Sequence, residues 1–355
     1  MVTSRQSKSN QQRVKAMEAI VFGFGNIGKA LVKRLNNDGW EIRGIVRRDG
    51  GLYDSDGNRT DDFHMNNLRS SLVRGSKTCV AFIAIPSDEG GDIERKYIQG
   101  ALSAGAFAVT CAKSALSNHH EQLKHSIESG RLGYRATVGG GTHMLPILKK
   151  KIGGRKDVAV CVVVNGTLNF LFHSMHHDGD SLGMAIKKAE RLRFVEPGAT
   201  NNLEVINGEM QDTKKKTVIV GNTSLPLPVM LNAAGIQVAT LDDNQLARLV
   251  RQAAVRRYLV RYYPAGWKVN GEDDDVIGGF TVKMPDGAMI QAGFHRTDLD
   301  PVYTDRLPLG ANNFAMTIEG PDGEDGIYVV ANGPGAGPEA TTAAMMADAR
   351  QMLGL

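Results

Sequence analysis

Cysteine, aromatic residues and long apolar runs are all scarce in this chain. The three cysteines among 355 residues, Cys79, Cys111 and Cys161, are odd in number and far apart. That argues against a disulfide framework or a paired-cysteine zinc site and fits a reducing compartment. Aromatics make up 6% of the residues and do not interleave with the basic clusters at Lys214–Lys216 and Arg256–Arg257. Those clusters read as solvated faces, and the net charge of +4 is spread along the chain, so no nucleic-acid partner is expected. No run approaches the ~18 apolar residues of a membrane span, so no membrane partner is expected either. The start, Ser4 to Arg13, is polar without the apolar core of a secretory signal. Residues 1–16 are expected to form a disordered extension, and the protein to be cytoplasmic. Neither a nucleophile elbow nor Gly-x-x-x-x-Gly-Lys-Ser/Thr occurs, which leaves hydrolase and kinase readings without support.

Glycine, by contrast, is abundant, with 41 copies, and one group of three organises the chain. Ala19-Ile20-Val21-Phe22 reads as a buried strand. It runs into Gly23-x-Gly25-x-x-Gly28 and an apolar stripe (Ile27, Leu31, Val32, Leu35) at helical spacing. In a strand–turn–helix context, the first glycine permits the turn, the second a pyrophosphate's approach, and the third close helix packing. The helix N-terminus at Asn26 and Ile27 then offers unpaired N–H groups to phosphate. Chance matches to this spacing are easy in a glycine-rich chain, so the weight falls on the context. A second strand, Trp40 to Val46, ends at Arg47-Arg48. A basic residue there accommodates the 2′-phosphate of NADP, and an acidic one the ribose of NAD. NADP is the expected preference, with Asp49 keeping NAD open.

Strands at Thr78–Ile85 and Ala106–Ala112, separated by a helix from Ile93 to Gly105, extend a parallel sheet. Pro86-Ser87-Asp88 and Lys113 follow these strands at the carboxyl edge, where ligands bind, so Lys113 is a candidate for chemistry. Tyr134–Val138 reads as a strand entering the Gly139–Gly141 loop, where the chain is expected to cross to a second domain. A basic turn (Lys149 to Lys156), a strand (Val158 to Val164) and Asn165-Gly166-Thr167 come next. Asp212 and Lys216 are four apart on one helical face and able to pair. A long helix from Asp242 to Val260 and strand-like pieces at 267–269, 280–284 and 289–294 suggest a sheet with helices on one side and an exposed or dimer-forming face on the other. The glycine-rich run Asn332 to Thr342 leads into a final helix, Ala343 to Met352, that suggests a return to the first domain. The expected division is residues 17–140 with 331–355, and 141–330. His173, His176 and His177 carry no glutamate in a zincin position and read as surface residues; His143, beside the glycine loop, is the better site candidate of the four.

Taken in order, Gly-Phe-Gly-Asn-Ile-Gly, the strand ending in Lys113, Tyr-x-Ala-Thr-Val-Gly-Gly-Gly, Asn-Gly-Thr-Leu-Asn-Phe, Phe-Val-Glu-Pro, Gly208 with Asp212 and Lys216, and Gly-Pro-Gly-Ala-Gly with Thr341 resemble homoserine dehydrogenase. The resemblance covers nearly the whole chain from about residue 18 and is similar to the short, monofunctional form without a regulatory domain. It implies an α/β fold: a Rossmann dinucleotide-binding domain plus an α/β catalytic domain that dimerises through its sheet. It implies NAD(P)-dependent interconversion of L-homoserine and L-aspartate 4-semialdehyde, in threonine and methionine biosynthesis. Lys113 matches the lysine handling the proton of the reacting oxygen; Asp212 and Lys216 match its catalytic neighbours. Glu196, Gly166 and Thr167 match the substrate pocket. Gly23, Gly25, Asn26, Ile27, Gly28, Arg47, Arg48, Ser87 and Gly335 are the expected cofactor contacts. A desolvated Lys113 is expected to have its pKa lowered toward working pH.

Two stretches depart from the family. Arg135 stands where the family has a cation-binding glutamate, and a guanidinium cannot ligate a metal, so no metal is assigned. It is expected either to occupy the cation's place or to bind a substrate carboxylate. After Glu196-Pro197 the run Gly198 to Asn202 lacks the family's aspartates, which weakens the grip on an ammonium group. A dehydrogenase for another small alcohol or aldehyde is therefore the nearest alternative, and a non-catalytic NADP(H) sensor the more distant one.

Overall fold

The computed structural model describes residues 17–74, 78–195, 201–267, 275–298, 306–320, 323–335 and 337–355. The chain opens with β1 (Glu18–Phe22), α1 (Asn26–Asn37), β2 (Glu41–Val46) and a hairpin of β3 (Gly51–Tyr53) and β4 (Arg59–Asp62). It continues through β5 (Cys79–Ile83), α2 (Asp92–Ala104), β6 (Phe107–Thr110), α3 (Ser114–Asn118), α4 (His120–Glu128) and β7 (Leu132–Gly133). These strands stand in the order β4-β3-β2-β1-β5-β6-β7, parallel from β2 to β7 and antiparallel in the edge hairpin. Every residue of β1 and β5 is buried, as strands covered on both faces require. The strand order reverses between β1 and β5, so their carboxyl ends open the crevice in which such sheets take ligands. This is a Rossmann sheet.

The second half runs α5 (Met144–Ile152), β8 (Val158–Val163), α6 (Gly166–His177), α7 (Leu182–Arg191), α8 (Asn202–Ser224), α9 (Asp243–Arg251) and β9 (Arg256–Tyr263). Then come β10 (Ile277–Lys283), β11 (Met289–Arg296), β12 (Asn312–Glu319), β13 (Gly326–Pro334) and α10 (Pro338–Leu353). Its six strands are antiparallel in the order β10-β11-β9-β8-β12-β13. Period-two alternation sends Val160, Val162, Val260, Tyr262 and Ile290 into one core with Val218 and Val220 of α8 and Leu171 of α6. The chain leaves this sheet only after Pro334, and α10 then packs against α1 and β6 of the parallel sheet. Ion pairs Arg34–Glu339 and Arg350–Asp38 join α10 to α1.

Four expectations fail. Tyr134–Val138 is not a strand: β7 ends at Gly133, and a 3-10 turn spans Arg135–Thr137. The Thr137 amide and hydroxyl both donate to the Tyr134 carbonyl, closing the backbone locally. Lys149 to Lys151 belong to the last turn of α5, where cations suit the helix dipole, rather than to a loop. The long helix stops at Arg251, and Arg256–Tyr263 is a wholly buried strand. Tyr258, Val260 and Tyr262 at period two carried that signal. Finally, the exposed alternative for the second face of the antiparallel sheet fails. Ala159, Cys161, Val163, Leu259, Phe314 and Met316 are buried there, with Trp267, Leu307 and Ile327 packed on them.

Candidate active site

At the end of β1 the three glycines divide by function. Gly23 has φ of +100°, and a Cβ there would lie 2.3 Å from the Ala84 carbonyl oxygen. A Cβ on Gly28 would lie 2.2 Å from the Gly23 carbonyl oxygen. Both positions are closed to any side chain, whereas a Cβ on Gly25 meets nothing within 4 Å. No side chain caps α1, so the amides at Asn26 and Ile27 are presented toward that open side. The residues present thus fit a dinucleotide pyrophosphate. Past β2, the Arg47 guanidinium lies over the rings of Phe24 and Tyr53, 4.4 and 3.8 Å from their centroids. Arg48 is exposed. Asp49 is taken up by the hairpin, accepting from the Gly51 amide at 3.0 Å and the Tyr53 hydroxyl at 2.5 Å.

Lys113 follows β6 and sits at the start of α3. Its backbone amide donates to the Ser87 hydroxyl at 2.9 Å, which ties the ends of β5 and β6 together. Its Nζ lies 3.2 Å from Oδ1 of Asp212, and Lys216 Nζ lies 2.8 Å from Oδ2 of the same carboxylate. Burial opposes the charge on Asp212, but the two ammonium groups outweigh it and hold the carboxyl well below its usual range. Lys113 is raised above the ordinary lysine value because the charge of Asp212 outweighs desolvation. The expected lowering of Lys113 is therefore corrected: the carboxylate it shares with Lys216 keeps it protonated.

One turn before Asp212 on α8, Glu209 completes the group. Its Oε2 accepts from Asn165 Nδ2 at 2.7 Å, while Asn165 Oδ1 caps α6 through the Leu168 amide at 2.8 Å. Burial, then the like charge of Asp212, pushes the Glu209 carboxyl up to about 7. Glu94 of α2, fully buried, accepts from Thr110 Oγ1 at 3.0 Å and from the amide of Ala115, two residues after Lys113, at 2.9 Å. Burial pushes it too up to about 7. Sequence reasoning missed Glu209, Asn165 and Glu94. The spacing i, i+3, i+7 of Glu209, Asp212 and Lys216 was a readable signal; Glu94 had none.

The lysine run is not a solvated face. Lys214 donates to the Ile236 carbonyl at 3.2 Å, and Lys215 donates to Ser114 Oγ at 2.9 Å and the Asp88 carbonyl at 3.2 Å, which clasps α8 to the carboxyl edge of the parallel sheet. Thr167 is not free for a ligand: its hydroxyl donates to the Phe194 carbonyl at 2.9 Å. A Cβ on Gly166 would lie 2.4 Å from the Ala311 carbonyl oxygen, so this glycine admits β12. Gly335 likewise packs on Asn313 and on the Gly140 turn. Glu196 lies outside the described residues. Arg135 points to α10, its Nε 3.0 Å from Asp348 Oδ1 and its amide 2.9 Å from Oδ2. That carboxylate, 213 residues away, takes the guanidinium that was expected at a substrate or cation position. His173 and His177 stack at 4.3 Å between ring centroids on α6, and His143 is exposed. Among the described residues no group of three His, Cys, Asp or Glu side chains could hold a metal, and no helix is long and apolar enough to cross a membrane.

Comparison with known proteins gives a consistent picture. The family model "Homoserine dehydrogenase" matches residues 145–349. A homoserine dehydrogenase of Methanocaldococcus jannaschii is 24% identical over 235 residues, 58% of this chain and 68% of that one. That of Corynebacterium glutamicum is 25% identical over 200 residues, 53% of this chain but only 44% of its own length. The crystal structure of homoserine dehydrogenase from Thermoplasma acidophilum superposes with a TM-score of 0.66 at 16% identity, covering 96% of this chain and 100% of that one. A hyperthermophilic archaeal homoserine dehydrogenase in complex with NADPH gives 0.63 at 18% identity, covering 96% and 99%. With the family match spanning more than half of its length, the chain belongs to the homoserine dehydrogenase family.

Proposed function

We propose that this protein is an NADP-preferring homoserine dehydrogenase, interconverting L-homoserine and L-aspartate 4-semialdehyde with Lys113 as the proton-transferring group. The observation that carries the reading is the pairing of Lys113 and Lys216 on Asp212 at the carboxyl edge of the parallel sheet. A bound nicotinamide supplies or accepts the hydride. What remains is to manage the charge on the reacting oxygen, and the residues present are suited to it. In the reductive direction a protonated Lys113 donates to the aldehyde oxygen as alkoxide charge develops, and Lys216 adds a second positive charge nearby. In the oxidative direction the same amine must first lose its proton, which Asp212 resists. Aldehyde reduction should therefore hold its rate across neutral pH, while homoserine oxidation climbs with pH; pH–rate profiles in both directions check this. NADPH formation with homoserine, set against a panel of small alcohols, tests the reading as a whole. Division into a nucleotide-binding unit (17–140 with the C-terminal segment) and a catalytic unit, homodimerisation and a cytoplasmic site belong to the same proposal.

The glycine and arginine geometry sets expectations for three variants. Gly28→Ala should destabilise the fold by roughly 1–3 kcal/mol, because its Cβ has nowhere to go. Gly25→Ala should keep the melting temperature yet weaken NADPH binding; thermal melts and fluorescence titration separate the two. Arg47→Glu should lower the NADPH-to-NADH ratio of kcat/KM by about tenfold to a hundredfold, the worth of one hydrogen bond to a charged group.

A further inference from the structure

We propose that Glu209 is the specificity-determining carboxylate of this site, holding the substrate's α-ammonium group. The inference rests on the homoserine dehydrogenase reading. The loop after Glu196 lacks the acidic side chains that would grip an ammonium. Among the described residues, Asp212 and Glu94 are committed and Asp88 is partly so. Both oxygens of Asp212 face lysines, Glu94 is fully buried with both oxygens bonded, and Asp88 accepts from the Gly91 amide at 2.6 Å. Asn207 and Asn201 spend their side chains on the Leu241 backbone and on capping α8. Glu209 differs. Asn165 holds its Oε2 at 2.7 Å, while Oε1 accepts no hydrogen bond from the described residues, and the side chain is only partly buried.

Its position suits a four-carbon substrate. Glu209 and Asp212 lie three residues apart on one face of α8, so a molecule with its oxygen at Lys113 can place a cation at Glu209. Asn165, at the N-cap of α6, fixes the carboxylate's direction without adding charge. A carboxylate beside Asp212 and raised by burial gains from a cationic ligand what it loses to its neighbour's like charge. Lys113 and Lys216 are the other charged groups facing it, and both are drawn to Asp212.

The test compares homoserine with 4-hydroxybutanoate, the same chain without the amino group, in the unaltered enzyme and in Glu209→Gln. Glu209→Gln should cut kcat/KM for homoserine by about tenfold to a hundredfold, mainly through KM. It should leave kcat/KM for 4-hydroxybutanoate within about threefold, so the preference for the amino acid collapses. KM for homoserine should fall as pH rises through about 7, where Glu209 ionises, and this slope should vanish in the variant; Glu209→Asp should recover part of the selectivity. Equal losses with both substrates, or an unchanged homoserine KM, would overturn the inference. If the unaltered enzyme oxidises neither compound, the proposed function fails. Homoserine binding to the NADP+-loaded protein, measured by calorimetry, then still decides Glu209: equal affinity in both forms overturns its role.

Discussion

Lys113→Ala is expected to lower kcat about a thousandfold or more in both directions while NADPH binds as before. Two separable contributions vanish together. General acid–base transfer supplies roughly 10²–10⁴ in rate. Charge stabilisation of a developing oxyanion supplies roughly 10²–10³. The backbone at 113 should stay in place, because the Ser87 hydroxyl holds its amide rather than its side chain, and Glu94 anchors the following turn through Ala115. Lys113→Arg sharpens the test. A guanidinium keeps the positive charge but does not give up its proton at working pH. If electrostatics alone matters, the arginine variant recovers most of the rate; if proton transfer is the larger share, it stays close to alanine. Turnover within tenfold of the unaltered enzyme in Lys113→Ala would move the proton-transferring role to Lys216.

The glycine turn and Lys113 were legible because their signals are local: a buried run, a spacing and an edge position sit within a few residues of one another. The Asp212–Lys216 pair was legible for the same reason. What escaped was everything set by distant partners. Arg135 is an arginine beside a glycine loop until α10 brings Asp348 to it from the far end of the chain. Lys215 reads as one of three surface lysines until Ser114 and Asp88 meet it from the other sheet. β9 was hidden by its arginines: Arg257 and Arg261 stand four apart, the spacing of a helix's polar face. No glycine or proline marks the stop after Arg251, so in the sequence the helix pattern runs on. Glu209 shows both limits, since its place on the helix face was readable while its orientation by Asn165 was not.

Asp212→Asn should also be damaging, though less than loss of Lys113, and with a different pH signature. At an effective dielectric of 20, each ammonium within 4 Å of the carboxylate gains about 4 kcal/mol before desolvation is set against it. An asparagine keeps the shape and removes that attraction, leaving Lys113 and Lys216 to repel one another across a neutral amide. Lys113 is raised chiefly by Asp212, with burial acting the other way, so removing the charge leaves burial in control and its pKa falls. A loss of kcat/KM of about a hundredfold is expected for aldehyde reduction at neutral pH, from a misplaced and partly neutral lysine. The loss should deepen as pH rises, because the reductive direction needs the protonated amine. Homoserine oxidation needs the neutral amine and should suffer less at high pH, so the ratio of the two directions shifts with pH in the variant more steeply than in the unaltered enzyme. Glu209 should change in step: without a like charge three residues away its carboxyl ionises more readily, moving the pH dependence of the homoserine KM to lower values. If Asp212→Asn left both the pH profile of reduction and that of the homoserine KM where they were, the carboxylate would be a support for α8 and not the group that sets the charge of the site.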